Sequence, residues 1–122
     1  MSGEADVVAA RQLVVETARA MLDGRLSFIE GARRINGRKW DVGLPDPELD
    51  PDMVRFLLID SETDTLPFGD IRQLWQPAAL EKLQPKIEQS ERWARETGWA
   101  ACHSLIARFS GNAQSPVSSE QD

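Results

Sequence analysis

Three carboxylates at alternate positions, Asp60, Glu62 and Asp64, are the residues whose types and spacing could do chemistry in this chain. Alternating acids open calcium loops, because a hard cation needs several oxygens converging on one point. The rest of that pattern is missing. Thr65 stands where the sharp turn needs glycine, and Ile71 where a bidentate acid belongs, so no metal is expected. Paired carboxylates also serve as general acid and base. Helical proteins that use them so place acids at facing interior positions, often as Glu-x-x-His, and that spacing is absent from the sequence. His103 and Cys102 are the only histidine and the only cysteine. Helix neighbours point about 100° apart, so these two cannot form a nucleophile–base pair with each other, and they are too few for zinc. Gly31, Gly37 and Gly43 are too widely spaced to cradle a phosphate. The sequence predicts no catalytic residue, no metal and no cofactor.

Two other uses of the acids remain. An ion network is the first: acids at a helix C-terminus oppose the macrodipole by ~0.3–1 kcal/mol each, and Arg33, Arg34 or Arg72 could compensate them. Outward presentation to a partner is the second. The charge distribution favours a partner. Net charge is −6, against non-specific nucleic-acid binding, which needs clustered lysines and arginines. From Asp41 to Asp70 there are nine acids and one base, Arg55, whereas Arg25 to Lys39 holds five bases and one acid, Glu30. Negative charge is thus concentrated in the middle third.

The elements that must carry these residues read as helices throughout. At 122 residues the chain suits one compact domain, and its lone cysteine fits a reducing compartment. No apolar run approaches the ~20 residues of a membrane span, and the first residues lack a hydrophobic signal core. A cytoplasmic location follows. Val7, Ala10, Val14, Ala18 and Met21 predict a helix over 4–22, stopped by Gly24. Ser27 and Glu30 form a capping pattern for a second helix burying Phe28, Ile29, Ala32 and Ile35, with Gly31 allowing a close approach. Asp50-Pro51 starts a third over 51–60, burying Met53, Phe56 and Leu57. Asp70 is placed to cap a short helix through Trp75. Pro77 opens another turn or two, and Pro85 starts a final long helix to Phe109. The fold class is all-α: a single-domain bundle of about five helices over 1–110, with a long C-terminal helix and a disordered polar tail over 111–122.

Three segments, Ile29–Ile35, Ile59–Trp75 and Ala101–Phe109, resemble a family of small bacterial helical proteins of unknown function. The most specific part is D-S-E-T-D-x-L-P-x-G, here Asp60, Ser61, Glu62, Thr63, Asp64, Leu66, Pro67 and Gly69. Such proteins are similar in size and acidity to immunity proteins that block toxins delivered between bacteria. The expected function is therefore a non-enzymatic module that binds a cognate toxin, a nuclease being the natural target, since its basic cleft attracts carboxylates. Asp46, Glu48, Asp52, Asp60, Glu62 and Asp64 would form the charged face. Trp40 and Trp93 would serve as anchors, Trp93 lying off the main apolar stripe of the last helix, while Trp75 and Trp99 are expected in the core. An enzyme or small-ligand sensor with Asp60, Glu62, Asp64 and Arg72 in an internal pocket is the alternative. A homodimer through the tryptophan-bearing face of the last helix is a third outcome.

Overall fold

A computed structural model of the chain describes residues 3–110, apart from the side chains of residues 69 and 70; the tail expected over 111–122 lies outside the described residues. Four α-helices and a 3₁₀ segment make up the fold: α1 (Glu4–Leu22), α2 (Phe28–Asn36), α3 (Pro51–Thr63), the 3₁₀ segment Gly69–Leu74, and α4 (Pro77–Phe109). No strand occurs among the described residues. The short helix α2 sits at the centre, packed against α1, α3 and α4, while α4 also lies along α1 and α3.

The first three helices end where local chemistry ends them. Gly24 takes a positive φ of 82° after α1, a conformation that costs glycine nothing. The Ser27 hydroxyl accepts the Glu30 amide at 3.0 Å. One carboxylate oxygen of Asp50 accepts the amides of Asp52 and Met53, both at 3.2 Å, ahead of Pro51 at the first helical position. The apolar spacing read from the sequence becomes the core. Val14, Ala18 and Met21 of α1 meet Phe28, Ile29 and Ile35 of α2, Met53, Phe56 and Ile59 of α3, and Ala94, Ala101, Cys102 and Leu105 of α4. Burying each large side chain is worth roughly 1.5–3 kcal/mol. Two glycines permit the closest approaches. A Cβ at Gly31 would lie 2.2 Å from the Met21 sulfur, and one at Gly98 would lie 3.2 Å from Ile59 Cδ1. Leu57, expected inside, is only half-buried.

The C-terminal third corrects the expected helix count. A single helix of 33 residues runs through Pro85, so the two expected pieces are one. Proline removes an amide and leaves the carbonyl four residues back, that of Glu81, without its helical partner. Glu81 and Pro85 are both exposed, so water can take that carbonyl and the break is avoided. At 1.5 Å per residue α4 is about 50 Å long, against about 28 Å for α1, and its first turns are largely exposed. The segment before it is a 3₁₀ turn with Phe68, not Asp70, at the capping position.

Candidate protein-binding surface

The eight acids of the middle third whose side chains are described, Asp41 to Asp64, do not form one free face. Asp50, besides capping α3, takes a two-pronged contact from Arg108 on α4, with Nη2 to Oδ1 at 2.8 Å and Nη1 to Oδ2 at 3.0 Å. The same guanidinium reaches Asp52 Oδ2 at 2.7 Å, and the Ser104 hydroxyl donates to that oxygen at 2.6 Å. The start of α3 is thereby tied to the last turns of α4. The Arg108 guanidinium holds the Asp50 carboxyl below its ordinary value against the opposing effect of burial, with the Met53 and Asp52 amides adding to the shift. Arg108 is raised in turn, chiefly by its bond to Asp50. Asp52, expected on the partner-facing surface, is instead part of this internal clasp.

At the other end of α3, Asp60 accepts a hydrogen bond from Asn36 Nδ2 at 2.9 Å, and Arg33 Nε stands 3.8 Å away. That spacing is an ionic contact and not a hydrogen bond, so the buried Arg33 Nε has no hydrogen-bond partner; the buried Asn36 Oδ1 has none either. The rest of the Arg33 guanidinium donates to the carbonyls of Thr63 and Leu66 and lies over the Phe68 ring at 5.3 Å. Arg33 thus closes the C-terminus of α3, where carbonyls lack helical partners. Arg33 belongs to the expected ion network; Arg34 and Arg72 form no ion pair among the described residues and do not.

Glu48 pairs with the buried Lys39 at 3.4 Å, and Asp41 with Arg38 at 3.6 Å. What remains is smaller than the sequence suggested. Asp46, Glu62 and Asp64 are exposed and unpaired among the described residues. Asp46 precedes α3 while Glu62 and Asp64 stand at its far end, about 20 Å away along the helix by its rise.

Exposed apolar side chains accompany these acids: Trp40, which the sequence offered as an anchor, and Leu49, Val54 and Leu58, which it did not. Leu49 is 77% exposed and Trp40 65%, with Val54 at 38% and Leu58 at 42%. Val54, Leu58 and Glu62 recur every four residues, so they share one line along α3. Trp40 and Leu49 flank the Lys39–Glu48 pair, which joins the turn after α2 to the turn before α3, with Lys39 Nζ 6.0 Å from the Trp40 ring centre. The sequence reading assigns α3 only its buried residues, Met53, Phe56 and Leu57 with Leu58 or Ile59 beside them, and leaves Val54 without a role. The four-residue spacing of Val54 and Leu58, opposite Met53, Phe56 and Ile59, was the signal available.

The other tryptophans exchange roles. Trp93, expected to be exposed, is half-buried and packs against the core. Trp99, expected in the core, is 39% exposed, stacked on Phe28 at 6.1 Å with Arg95 4.6 Å from its ring centre. Trp75 is partly exposed too. On α4 the core line passes through Ala94 and Ala101, with Gly98 between. Phe28 occupies the space beside Gly98, which leaves Trp99 on the rim.

None of the clefts found among the described residues gathers Asp60, Glu62, Asp64 and Arg72. One lies beside Leu13, Thr17, Arg34 and Arg38 between α1 and α2, and another takes in Arg72 with Leu80 and Glu88 but none of the three acids. No group of three His, Cys, Asp or Glu side chains able to hold a metal occurs among the described residues, and none of their helices is long and apolar enough to cross a membrane. The chain matches no protein-family model, no curated protein and no solved structure.

Proposed function

We propose that this chain is a non-enzymatic binding module that docks a basic protein surface through the outer face of α3 and the turn preceding it. One observation supports this above the others. Three carboxylates unpaired among the described residues, Asp46, Glu62 and Asp64, accompany exposed apolar side chains, Leu49 in the turn before α3 and Val54 and Leu58 along it. Exposed apolar side chains rimmed by charge mark interaction surfaces, and uncompensated carboxylates steer a cationic partner toward them. Trp40, an exposed tryptophan beside the Lys39–Glu48 pair, is the anchor in this arrangement. With the resemblance to immunity-like bacterial proteins, the partner proposed is a cognate toxin whose basic cleft, as in a nuclease, this surface occupies. A cytoplasmic setting accords with the single buried thiol of Cys102.

The test is a binding-kinetics series with the protein recovered from the native bacterium by affinity capture. Reversing Asp46, Glu62 and Asp64 together to lysine should slow association by roughly tenfold or more and flatten its salt dependence. Replacing Asp52 by asparagine should leave the association rate alone, because Asp52 is engaged by Arg108 and Ser104. Unchanged association in the triple reversal overturns the proposal.

A further inference from the structure

The basic run from Arg25 to Lys39 is the part of the charge pattern that the α3 surface leaves unused. Most of it is engaged inside the molecule. Arg25 pairs with Asp23, Lys39 with Glu48, and the Arg33 guanidinium closes the C-terminus of α3. Arg34 and Arg38 remain. Arg34 is exposed and has no hydrogen bond or ion pair among the described residues. Arg38 stands 3.6 Å from Asp41, beyond hydrogen-bond reach, so its donors are still open. Both arginines line a cleft of about 290 Å³ between α1 and α2, together with Leu13, Val14, Thr17 and Ile35. Val14 and Ile35 are fully buried and form an apolar floor, while Leu13, 41% exposed, is a lip. Every charged residue lining this cleft is an arginine, on a chain whose net charge is −6. Asp41 opens onto the neighbouring cleft beside Asp6, and Arg38 borders both.

We propose that this cleft binds a small amphipathic anion, a carboxylate or phosphate carried on a short apolar body. The guanidinium groups of Arg34 and Arg38 take the head, since their planar forks match either group. The body lies over Val14 and Ile35 and against Leu13. Thr17 sets the orientation. Its hydroxyl donates to the Leu13 carbonyl at 2.8 Å, which leaves it able only to accept from a ligand. It therefore turns an anionic oxygen away and leaves the arginine side as the place for the head. The end of α2 behind the arginines opposes an anion only weakly. The carbonyls of Arg33, Ile35 and Asn36 already accept the amides of Gly37, Arg38 and Lys39, so few orphan acceptors remain there. The volume lies near the lower limit for small-molecule sites, which restricts the body to a short chain or a single ring. The cleft shares no residue with the outer face of α3, and its role stands independently of the one proposed there.

Amide correlation spectra of the full chain, titrated with octanoate, with octyl phosphate and with uncharged octanol, are the experiment. At least one anion should give saturable shifts centred on Leu13, Thr17 and Gly37, with a Kd of roughly 0.1–1 mM. Whichever anion binds more tightly identifies the head group. Octanol, with a similar body and no charge, should bind roughly tenfold more weakly or worse. Arg34→Gln removes the charge of a side chain that has no partner in the fold, so the variant should melt like the parent while the anion Kd rises roughly fivefold or more. Arg38→Gln should weaken binding to a similar degree. The proposal is overturned if neither anion gives saturable shifts, or if the shifts centre away from the cleft. Octanol binding as tightly as the anions overturns it too, as does an anion affinity that both arginine variants leave unchanged.

Discussion

The Glu91 carboxylate on α4 accepts the backbone amide of Phe28, 63 residues earlier, at 2.6 Å, and its second oxygen accepts the Ile29 amide at 3.2 Å. These are the first two amides of α2, orphaned by helix geometry and next to the one that Ser27 caps. A side chain of the last helix therefore completes the start of the second.

Replacing Glu91 by alanine should destabilise the fold by about 1–2 kcal/mol, the scale of a lost cap with a part-buried donor left unmade. Glutamine, with one acceptor oxygen in place of two, should fall between. Urea unfolding followed by circular dichroism measures both. An alanine variant as stable as the parent would show that α2 is held by packing alone.

Gly31 and Met21 form a tighter pair than either sequence position suggests. A Cβ at residue 31 meets the Met21 sulfur at 2.2 Å and Cγ at 2.3 Å, and Met21 is fully buried with nowhere to withdraw. Alanine at a helical glycine ordinarily gains ~1 kcal/mol, but here overpacking should dominate, leaving Gly31→Ala destabilised by ~1–3 kcal/mol. In a Met21→Ala background the obstruction is gone, so the same substitution should become neutral or favourable. The two changes must then be strongly non-additive in a double-mutant cycle. Additive costs would remove the steric explanation.

How far the sequence could be read depended on how local the causes were. The helix over 4–22, Ser27 and Asp50 as caps, and Gly24 as a stop rest on neighbours within one or two turns. The structure repeats them. Pro85 misled because its cost depends on exposure, which is a property of the packed chain. The acidic segment misled for a related reason. Arg108, Arg33 and Lys39 reach Asp50, Asp52, Asp60 and Glu48 from other elements, and composition cannot show which charges a fold will bring together. Trp93 and Trp99 differ by less than two helical turns, and the space taken by Phe28 beside Gly98 decides which of them the rim receives.

Cys102 is fully buried on α4, 3.9 Å from the Met21 sulfur. Burial pushes its thiol up to about 12, so at neutral pH the reactive thiolate is essentially absent from the folded state. Labelling by a disulfide reagent at pH 8 should be slower than that of a free thiol by a hundredfold or more, on the order of the lost thiolate fraction, and should become rapid in denaturant. Fast labelling of the native protein would mean that α4 opens away from α1 far more often than its packing implies.

The Arg108–Asp50 pair should leave a signature in the acid limb of the stability curve. Asp50 has its folded value lowered below the ordinary 3.8, first through Arg108 and then through the amides it caps, while burial opposes them. A lowered carboxyl contributes stability that is fully present above its unfolded value and is lost as pH falls through the folded one. Arg108, raised in the fold, stays charged throughout that range and adds no titration of its own. Arg108→Ala should therefore cost about 1 kcal/mol at neutral pH, at the low end for a charge-assisted contact because the guanidinium is 35% exposed and screened. Below pH 3.8 the cost should shrink, so that the two unfolding curves converge in acid. Urea midpoints measured from pH 7 to pH 2 test this, with Asp50→Asn as the companion that removes the titrating group itself. A difference between parent and Arg108→Ala that holds constant into acid would assign the contribution to the packing of the arginine stem, and the ionic clasp between α3 and α4 would lose its support.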